Sequence, residues 1–520
     1  MEMNRQGSSR TFNTSRNITS GIINRMVFIL LPFINRTVIL WILGAEYVGL
    51  SSLFASVLQV LNISELGFNT AIVYSLYRPI ADHNEEEINR LLSLLKKIYH
   101  IVGIVVFGLG LLLMPFLRFF INGTYPDSIN LQILFSLYLI NSGISYFLFA
   151  YKETILIADQ HQNVTNNIRT IVHIGVCVIQ FVLLLVFKNY YLYLIITIAG
   201  TVLTNLMIAR ATKKRYPYLH NLSEPQAIPK SIKKQVSGLL IDRICDTCRN
   251  SFDSLIISST LGLVATGIYG NYYYIYGALY GIMLVICNSM GASVGNSIAT
   301  KTSDENFEDM RKFSMIFAYI LGVCTICLLC LYQPFMYLWA GQNLMLKDMD
   351  MILFCIYFYI INMNNIRNQY ISGTGIWWHL KLSYILEAAG NLVLNIILGK
   401  LLGITGIILA TIITIFIFNY FTRNHILFHS YFGKEKKKTF YLEQFAYAGV
   451  TFVVAFAIYW ICGFLPGNGI ISILLRGVCS LICSSVLLLM IFRLFPEYEK
   501  ARLMILNILK LFKRRISSIE

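Results

Sequence analysis

Ser237 to Ser258 reads SGLLIDRICDTCRNSFDSLIIS. Its flanks have the character of a transmembrane helix, yet Asp242, Arg243, Asp246, Arg249 and Asp253 lie inside it. At about 100° per residue, Asp242, Asp246, Arg249 and Asp253 fall on one stripe. A charge at the bilayer centre costs roughly 2.5–3.5 kcal/mol on insertion scales, so five in one helix cannot all face lipid. The stripe must meet protein, water or a polar solute, as the wall of a cavity does. The surrounding segment also has a partner 218 residues earlier, which gives the chain an internal symmetry.

The rest of the chain supplies the membrane around this helix. Of 520 residues, 56% are hydrophobic and only 13% are charged. The charged share is about half the soluble norm of roughly 25%. With apolar runs recurring from start to end, a multi-span membrane protein is the class that fits. The net charge of +16 is clustered between the apolar runs, which argues against nucleic acid as a partner. The opening MEMNRQGSSRTFNTSRN is polar and basic and lacks a signal peptide's apolar core, so the first span is expected to be an uncleaved anchor that starts in the cytoplasm. The eleven cysteines fall mostly in apolar runs and read as small core residues.

Runs of about 20 apolar residues predict about 14 spans: 20–43, 48–76, 97–121, 130–151, 166–187, 190–210, 238–260, 266–298, 313–334, 350–372, 382–402, 403–427, 443–463 and 470–493. Lys and Arg gather in alternate connections, which places both termini in the cytoplasm. The segment LGAEYVGL (43–50) aligns with LGLVATGI (261–268). At the same offset Arg25 falls on Arg243, and DHNEEEIN (82–89) falls on TKTSDENF (300–307). The expected fold is an all-α polytopic membrane protein: two six-helix lobes related by a pseudo-twofold repeat, plus two extra C-terminal helices. The lobes are 1–210 and 238–428, joined by a basic, Pro-containing linker at 211–237. The added helices occupy 429–494, and 495–520 is a basic amphipathic tail read as an interfacial helix.

Several other spans carry polar stripes. Arg25 and Arg36 share a face of span one, with Pro32 between them; span two carries Asn62, Glu65 and Asn69. Arg169, His173 and Gln180 line a face of span five; Asn365, Arg367 and Asn368 lie in span ten; Glu387, Asn391 and Asn395 share a face of span eleven. The asparagine stripes are expected to make interhelical hydrogen bonds. Arg169 and Arg367 lie near span ends, where snorkelling explains them as well as ligand binding does. Arg25, Arg36, Arg243 and Arg249 invite a functional reading, because a guanidinium stays charged and its planar fork suits phosphate oxygens. Asp242, Asp246 and Asp253 either neutralise neighbouring arginines or serve as protonation or cation sites; both readings stay open, as they do for Glu65 and Glu387.

These features resemble the polysaccharide-transporter branch of the multidrug/oligosaccharidyl-lipid/polysaccharide exporter superfamily, and within it the Wzx-type lipid-linked oligosaccharide flippases. The opening NRTVILWILGAEYVGLSSLFASVLQVLNISELGFNTAIVYSLY carries most of the likeness, with the turn Leu43 to Gly49 followed by the patch Glu65-Leu66-Gly67-Phe68. The resemblance implies a substrate of undecaprenyl pyrophosphate bearing a short glycan. It implies flipping from inner to outer leaflet of the bacterial cytoplasmic membrane, for O-antigen, capsule or exopolysaccharide synthesis. A polysaccharide polymerase and glycosyltransferases are the implied partners. In that picture Arg25, Arg36, Arg243 and Arg249 hold the pyrophosphate, while Asn62, Asn69, Asn271 and Tyr272 to Tyr274 meet sugars. No bond is made or broken, so no catalytic residue and no cofactor is expected, with coupling to protons or sodium left open. No GxxxxGK[ST] loop is present.

Two relatives compete. A cation-coupled drug exporter calls for an acidic cavity, whereas arginines here are at least as prominent as acids. A peptidoglycan-precursor (lipid II) flippase also has 14 spans and cationic residues on its first helix. A membrane-embedded polymerase, which is an enzyme, calls for a large outer loop rich in Arg and His; the longest such connection, near Gln333 to Lys347, holds one Lys.

Overall fold

The computed structural model describes residues 2–62, 68–219, 230–465, 467 and 469–506. Among them the chain is almost wholly helical, with no strand. The first nine α-helices are α1 (Glu2–Ile42), α2 (Ala45–Leu61), α3 (Phe68–Ala81), α4 (Glu85–Leu113), α5 (Leu131–Phe147), α6 (Glu153–Ala158), α7 (Gln162–Phe187), α8 (Tyr190–Arg215) and α9 (Lys230–Leu261). The next nine are α10 (Leu263–Thr300), α11 (Ser303–Ala340), α12 (Asp348–Met363), α13 (Asn365–Thr374), α14 (Trp377–Leu402), α15 (Ile404–Thr414), α16 (Arg423–Leu427), α17 (Lys436–Gly463) and α18 (Ile470–Phe492). Among the described residues, eleven spans are long and apolar enough to cross a membrane, and α5 with the bent segment after it makes a twelfth. Two more complete the predicted set: α2, apolar but only 17 residues long, and α9, which carries the charged stripe. The outer surfaces match the solvent, since side chains as large as Phe456 (74% exposed) and Ile471 (76%) face away from the protein. In water such a surface would drive aggregation; in lipid it costs nothing.

Four predicted spans are interrupted, and hydropathy could not reveal it. The run 48–76 is two helices, α2 and α3, and the residues between them, 63–67, lie outside the described set. The run 130–151 ends its helix at Phe147; Phe149 takes a left-handed φ of 49°, and the chain bends by 50°. The run 350–372 breaks after Met363. There the Asn362 and Asn364 amides donate to the carbonyls of Phe358 (2.8 Å) and Ile360 (3.0 Å), competing with the helix's own ladder. The run 403–427 widens into a π-helical turn at Ile415–Thr422, and a second π-helical turn, Phe428–Phe432, follows its end.

By packing, the chain divides into two compact units, Met1–Gly270 and Asn271–Glu520. This boundary lies beyond the 211–237 connection suggested by the repeat, because α9 packs on α2 and so belongs with the first unit. That unit is fastened by amides bridging helices. Asn24 donates to Thr170 (3.0 Å), Asn35 to Gln180 (2.8 Å), Asn62 to Ser142 (2.8 Å) and Asn205 to Ser145 (3.0 Å). Lipid tails are as apolar as leucine, so hydrogen bonds and close packing bind these helices where a hydrophobic drive cannot.

The repeat is visible in two local structures. Gly44 (φ 103°) and Gly262 (φ 88°), equivalent in the alignment, each break one helix before the next begins. Five residues on, a Cβ on Gly49 would stand 2.1 Å from the Leu263 carbonyl oxygen, and one on Gly267 would stand 2.5 Å from that of Ala45. Ala45 and Leu263 are themselves equivalent, so the motif crosses its own copy reciprocally. The second structure is a helix cap. Asn84 accepts from the Glu87 amide (3.0 Å) to open α4, and Thr302 forms a capping box with Glu305 to open α11 at the equivalent position.

In the second unit α11 packs against α12, α17 and α18. The last two long helices have no counterpart in the repeat but share one core with α11, built on Ile326, Tyr447, Ile458, Leu488 and Phe492. The start of the tail joins it, with Ala501 buried and Glu497 ion-paired to Arg311. Residues 507–520 of the predicted tail and 220–229 of the predicted linker lie outside the described residues.

Candidate functional site

The arginine-bearing helices α1 and α9 both pack on α2 in the first unit. Arg25 and Arg243, equivalent in the repeat, are both exposed. Arg36 is half-buried where Ser52 and Gly270 meet it. Its guanidinium lies 3.4 Å from the Ser52 hydroxyl, and a Cβ on Gly270 would come within 2.9 Å of it. Arg249 is 4% exposed and forms an ion pair with Asp246 one turn back, with Asn250 3.4 Å away. Asp246 remains about half exposed. Asp253 is 3% exposed and accepts a hydrogen bond from the Tyr269 hydroxyl at 2.7 Å. Asp242 is half-buried. The stripe thus divides: Arg249 and Asp253 are held inside the unit, while Asp246 and Asp242 keep access.

The other candidates in this unit join helices. Asn62 exchanges hydrogen bonds with Ser142 (2.8 and 3.0 Å) and accepts from Tyr146 at 3.4 Å. Asn69 accepts from Thr154 at 2.9 Å. Glu65, with Leu66 and Gly67 of its motif, lies outside the described residues. The stripe on α7 lines a cavity of about 330 Å³, where Arg169, His173 and Gln180 face Asn35, Tyr193 and Asn205. Phe28 stacks on the His173 ring at 4.1 Å, and Arg169 pairs with Glu153 at 2.6 Å. Asn271 and Tyr272, expected to meet sugars, are fully buried in the second unit. The Tyr272 hydroxyl donates to Gln333 at 2.5 Å there, so neither presents a sugar-binding surface.

The second unit holds a charged centre that the sequence did not reveal as one. Glu387 on α14 is 2% exposed, and its carboxylate accepts from Arg423 at 2.5 Å and from the Asn419 amide at 3.5 Å. Arg423 also lies over the Tyr384 ring at 4.2 Å. Arg367 is 2% exposed and donates to both the main-chain and side-chain oxygens of Asn419, at 2.6 Å each. Snorkelling therefore does not describe Arg367, which points into the protein. Arg423, near the end of the predicted span 403–427, is a buried helical residue. Asn419 reaches both arginines' surroundings from the π-helical turn Ile415–Thr422, whose wider winding redirects carbonyls out of the α ladder.

With this geometry in place, comparison with known proteins identifies the chain. A sequence model of the polysaccharide biosynthesis protein family matches residues 13–294, more than half of the chain. The chain belongs to that family. Among curated proteins none matches it in sequence. Its fold is that of known transporters. The lipid II flippase MurJ in an inward closed conformation superposes with a TM-score of 0.66 at 15% identity, over 92% of this chain and 98% of that one. An inward-facing multidrug resistance MATE family transporter of the MOP superfamily gives 0.55 at 13%, over 78% and 96%. A MOP superfamily transporter from Pyrococcus furiosus gives 0.54 at 10%, over 80% and 96%. The family model runs from within α1 through most of α10, so this polysaccharide biosynthesis protein carries both Arg25 and Arg243 inside the matched region. The buried Glu387–Arg423–Arg367 centre lies outside it.

Proposed function

We propose that the protein flips undecaprenyl-pyrophosphate-linked oligosaccharide units from the inner to the outer leaflet of a bacterial cytoplasmic membrane, by alternating access, for O-antigen, capsule or exopolysaccharide synthesis. The observation that carries this reading is the exposed, repeat-related pair Arg25 and Arg243 in a chain of the polysaccharide biosynthesis protein family. A guanidinium left exposed within a membrane helix is too costly to face lipid, and its fork fits pyrophosphate. Arg36 lies on the same helix as Arg25 and adds a third cation. Arg249 with Asp246 is charge balance in this scheme, and Asn62 and Asn69 hold helices that frame the site. Asp242, half-buried on the same helix as Arg243, is the carboxylate we assign to coupling with protons or sodium. The distribution of Lys and Arg supports cytoplasmic termini. A polysaccharide polymerase and glycosyltransferases are the partners such a cycle requires.

The likeness to MurJ supports a second reading, a lipid II flippase, which differs in glycan and not in the phosphate chemistry. One experiment separates them. Deleting the gene should strand undecaprenyl-linked glycan in the inner leaflet and abolish surface polysaccharide while cell-wall synthesis continues. Wild type should restore the surface glycan, and Arg25→Ala and Arg243→Ala should not, at equal membrane abundance. Surface glycan unchanged by the deletion would sink the proposal. Loss of peptidoglycan synthesis would favour the lipid II reading.

A further inference from the structure

At the end of the second unit where α10 turns into α11, a pocket of about 530 Å³ opens between those two helices and the helical tail at 498–506. Its charged lining is Lys301, Lys312, Lys500 and Asp309. Asp309 takes one hydrogen bond from Lys301 (2.6 Å) and one from Lys312 (2.8 Å), and Lys500 gives one to Glu308 (2.8 Å). An ammonium carries three N–H donors, so each lysine keeps capacity for a further oxygen. The lining itself is left with an excess of positive charge. One wall is the polar face of α10, where the Ser297 hydroxyl is buried without a hydrogen-bond partner among the described residues. The opposite wall is apolar, formed by Leu503 and Met504 of the tail with Phe313 of α11. Leu503, Ile505 and Leu506 are exposed, as side chains resting in lipid would be.

Ammonium groups, hydroxyls and an apolar wall meeting at the end of a membrane helix bundle match one kind of molecule. We infer that this pocket binds the phosphate of an anionic amphiphile, with lysines and Ser297 on the phosphate and the tail helix along its chain. Basic pockets between membrane helices at the lysine-rich side hold anionic headgroups by this chemistry. The phosphate has two sources, a bulk phospholipid or the diphosphate of a polyprenyl-linked cargo. The tail does not depend on the pocket's lysines alone, since Glu497 pairs with Arg311 and Ala501 is buried in the α11, α17 and α18 core. The site can therefore be emptied without unseating the helix that covers it. The inference stands apart from the choice of glycan.

The test is native mass spectrometry of the full chain in neutral detergent, titrated with phosphatidylglycerol, phosphatidylcholine of the same chains, undecaprenyl diphosphate or inorganic phosphate. Wild type should bind phosphatidylglycerol more tightly than phosphatidylcholine. The double variant Lys301→Gln/Lys312→Gln should weaken it about 30-fold at low salt. Asp309→Asn, which removes the competing carboxylate, should tighten it several-fold. The opposite sign of these two effects separates binding from misfolding. Lysine-dependent displacement of phosphatidylglycerol by undecaprenyl diphosphate at lower concentration would support the inference and name the cargo as the source; lysine-dependent binding of phosphatidylglycerol alone would name bulk lipid. Equal affinity for both phospholipids, an unchanged double variant, or lysine-dependent binding of inorganic phosphate alone would overturn it.

Discussion

Replacing Gly49 by alanine tests the crossing at which the repeated motif meets its own copy. The new methyl would stand 2.1 Å from the Leu263 carbonyl oxygen and 2.8 Å from its carbon. Both are backbone atoms, so no rotamer change can relieve the contact, and α2 must move away from the start of α10 by about 1 Å or more. Overpacking of this kind costs about 1–3 kcal/mol, and a backbone obstacle puts it at the upper end. The melting midpoint of the detergent-purified protein, read by size-exclusion chromatography after heating, should fall by roughly 3–5 °C. Gly267→Ala, at 2.5 Å from the Ala45 oxygen, should produce a similar fall. The double variant should lose less than the sum, because opening the crossing for one methyl admits the other. Gly108→Ala is the control: nothing lies within 4 Å of its Cβ position, and the change should leave the midpoint level or raise it. A midpoint within about 1 °C of wild type for Gly49→Ala, or full additivity in the double variant, would refute the close crossing.

Other consequences are as direct. Glu387→Ala leaves Arg423 buried without its carboxylate and should cost about 3–5 kcal/mol, seen as lost membrane abundance, whereas Glu387→Leu with Arg423→Leu should recover most of it. Arg367→Lys keeps the charge but cannot reach both Asn419 oxygens, so its melting midpoint should fall toward that of Arg367→Ala; a midpoint equal to wild type would show the fork to be unnecessary. Asn62→Ala should cost only about 0.6–2 kcal/mol, a small midpoint shift with normal abundance, because each bond it makes is an ordinary interhelical one.

Periodicity and hydropathy carried most of the fold. Every predicted span contains a helix, because a membrane forces backbone groups to bond within a segment and 20 apolar residues leave no other solution. The repeat was legible through glycines and a helix cap, both fixed by local backbone geometry. The interruptions were not legible. Asn362 and Asn364 end α12 through side-chain bonds to carbonyls one turn back, and the same residue type at Asn391 sits inside an unbroken α14, bonded to Thr411 on a neighbour. Composition cannot tell these apart, because the difference lies in which acceptor is nearer. The buried centre was hidden for a related reason. Arg423 follows a long apolar run, where an exposed residue at a membrane edge is the cheaper expectation, and only a tertiary contact with Glu387 reverses it.

Pairing sorts the intramembrane charges further. Insertion cost makes every charge in a span demand a reason, and for several the reason is another residue: Asp246 for Arg249, Tyr269 for Asp253, Glu387 for Arg423, Asn419 for Arg367. Such contacts account for these charges without a substrate, and all but the pair within α9 also tie one helical segment to another. Arg25 and Arg243 are different. They lie at equivalent positions of the repeat, on helices read as spanning the membrane, and both are exposed. Each exposed guanidinium can meet water or an anion in preference to lipid tails. In the proposed flippase these two, on helices that both pack against α2, would hold a mobile pyrophosphate without trapping it, since an exposed cation binds an anion more weakly than a buried one does. The same reasoning places Arg249 among the structural charges: its guanidinium already has a carboxylate, and burial would make release of a phosphate from it slow.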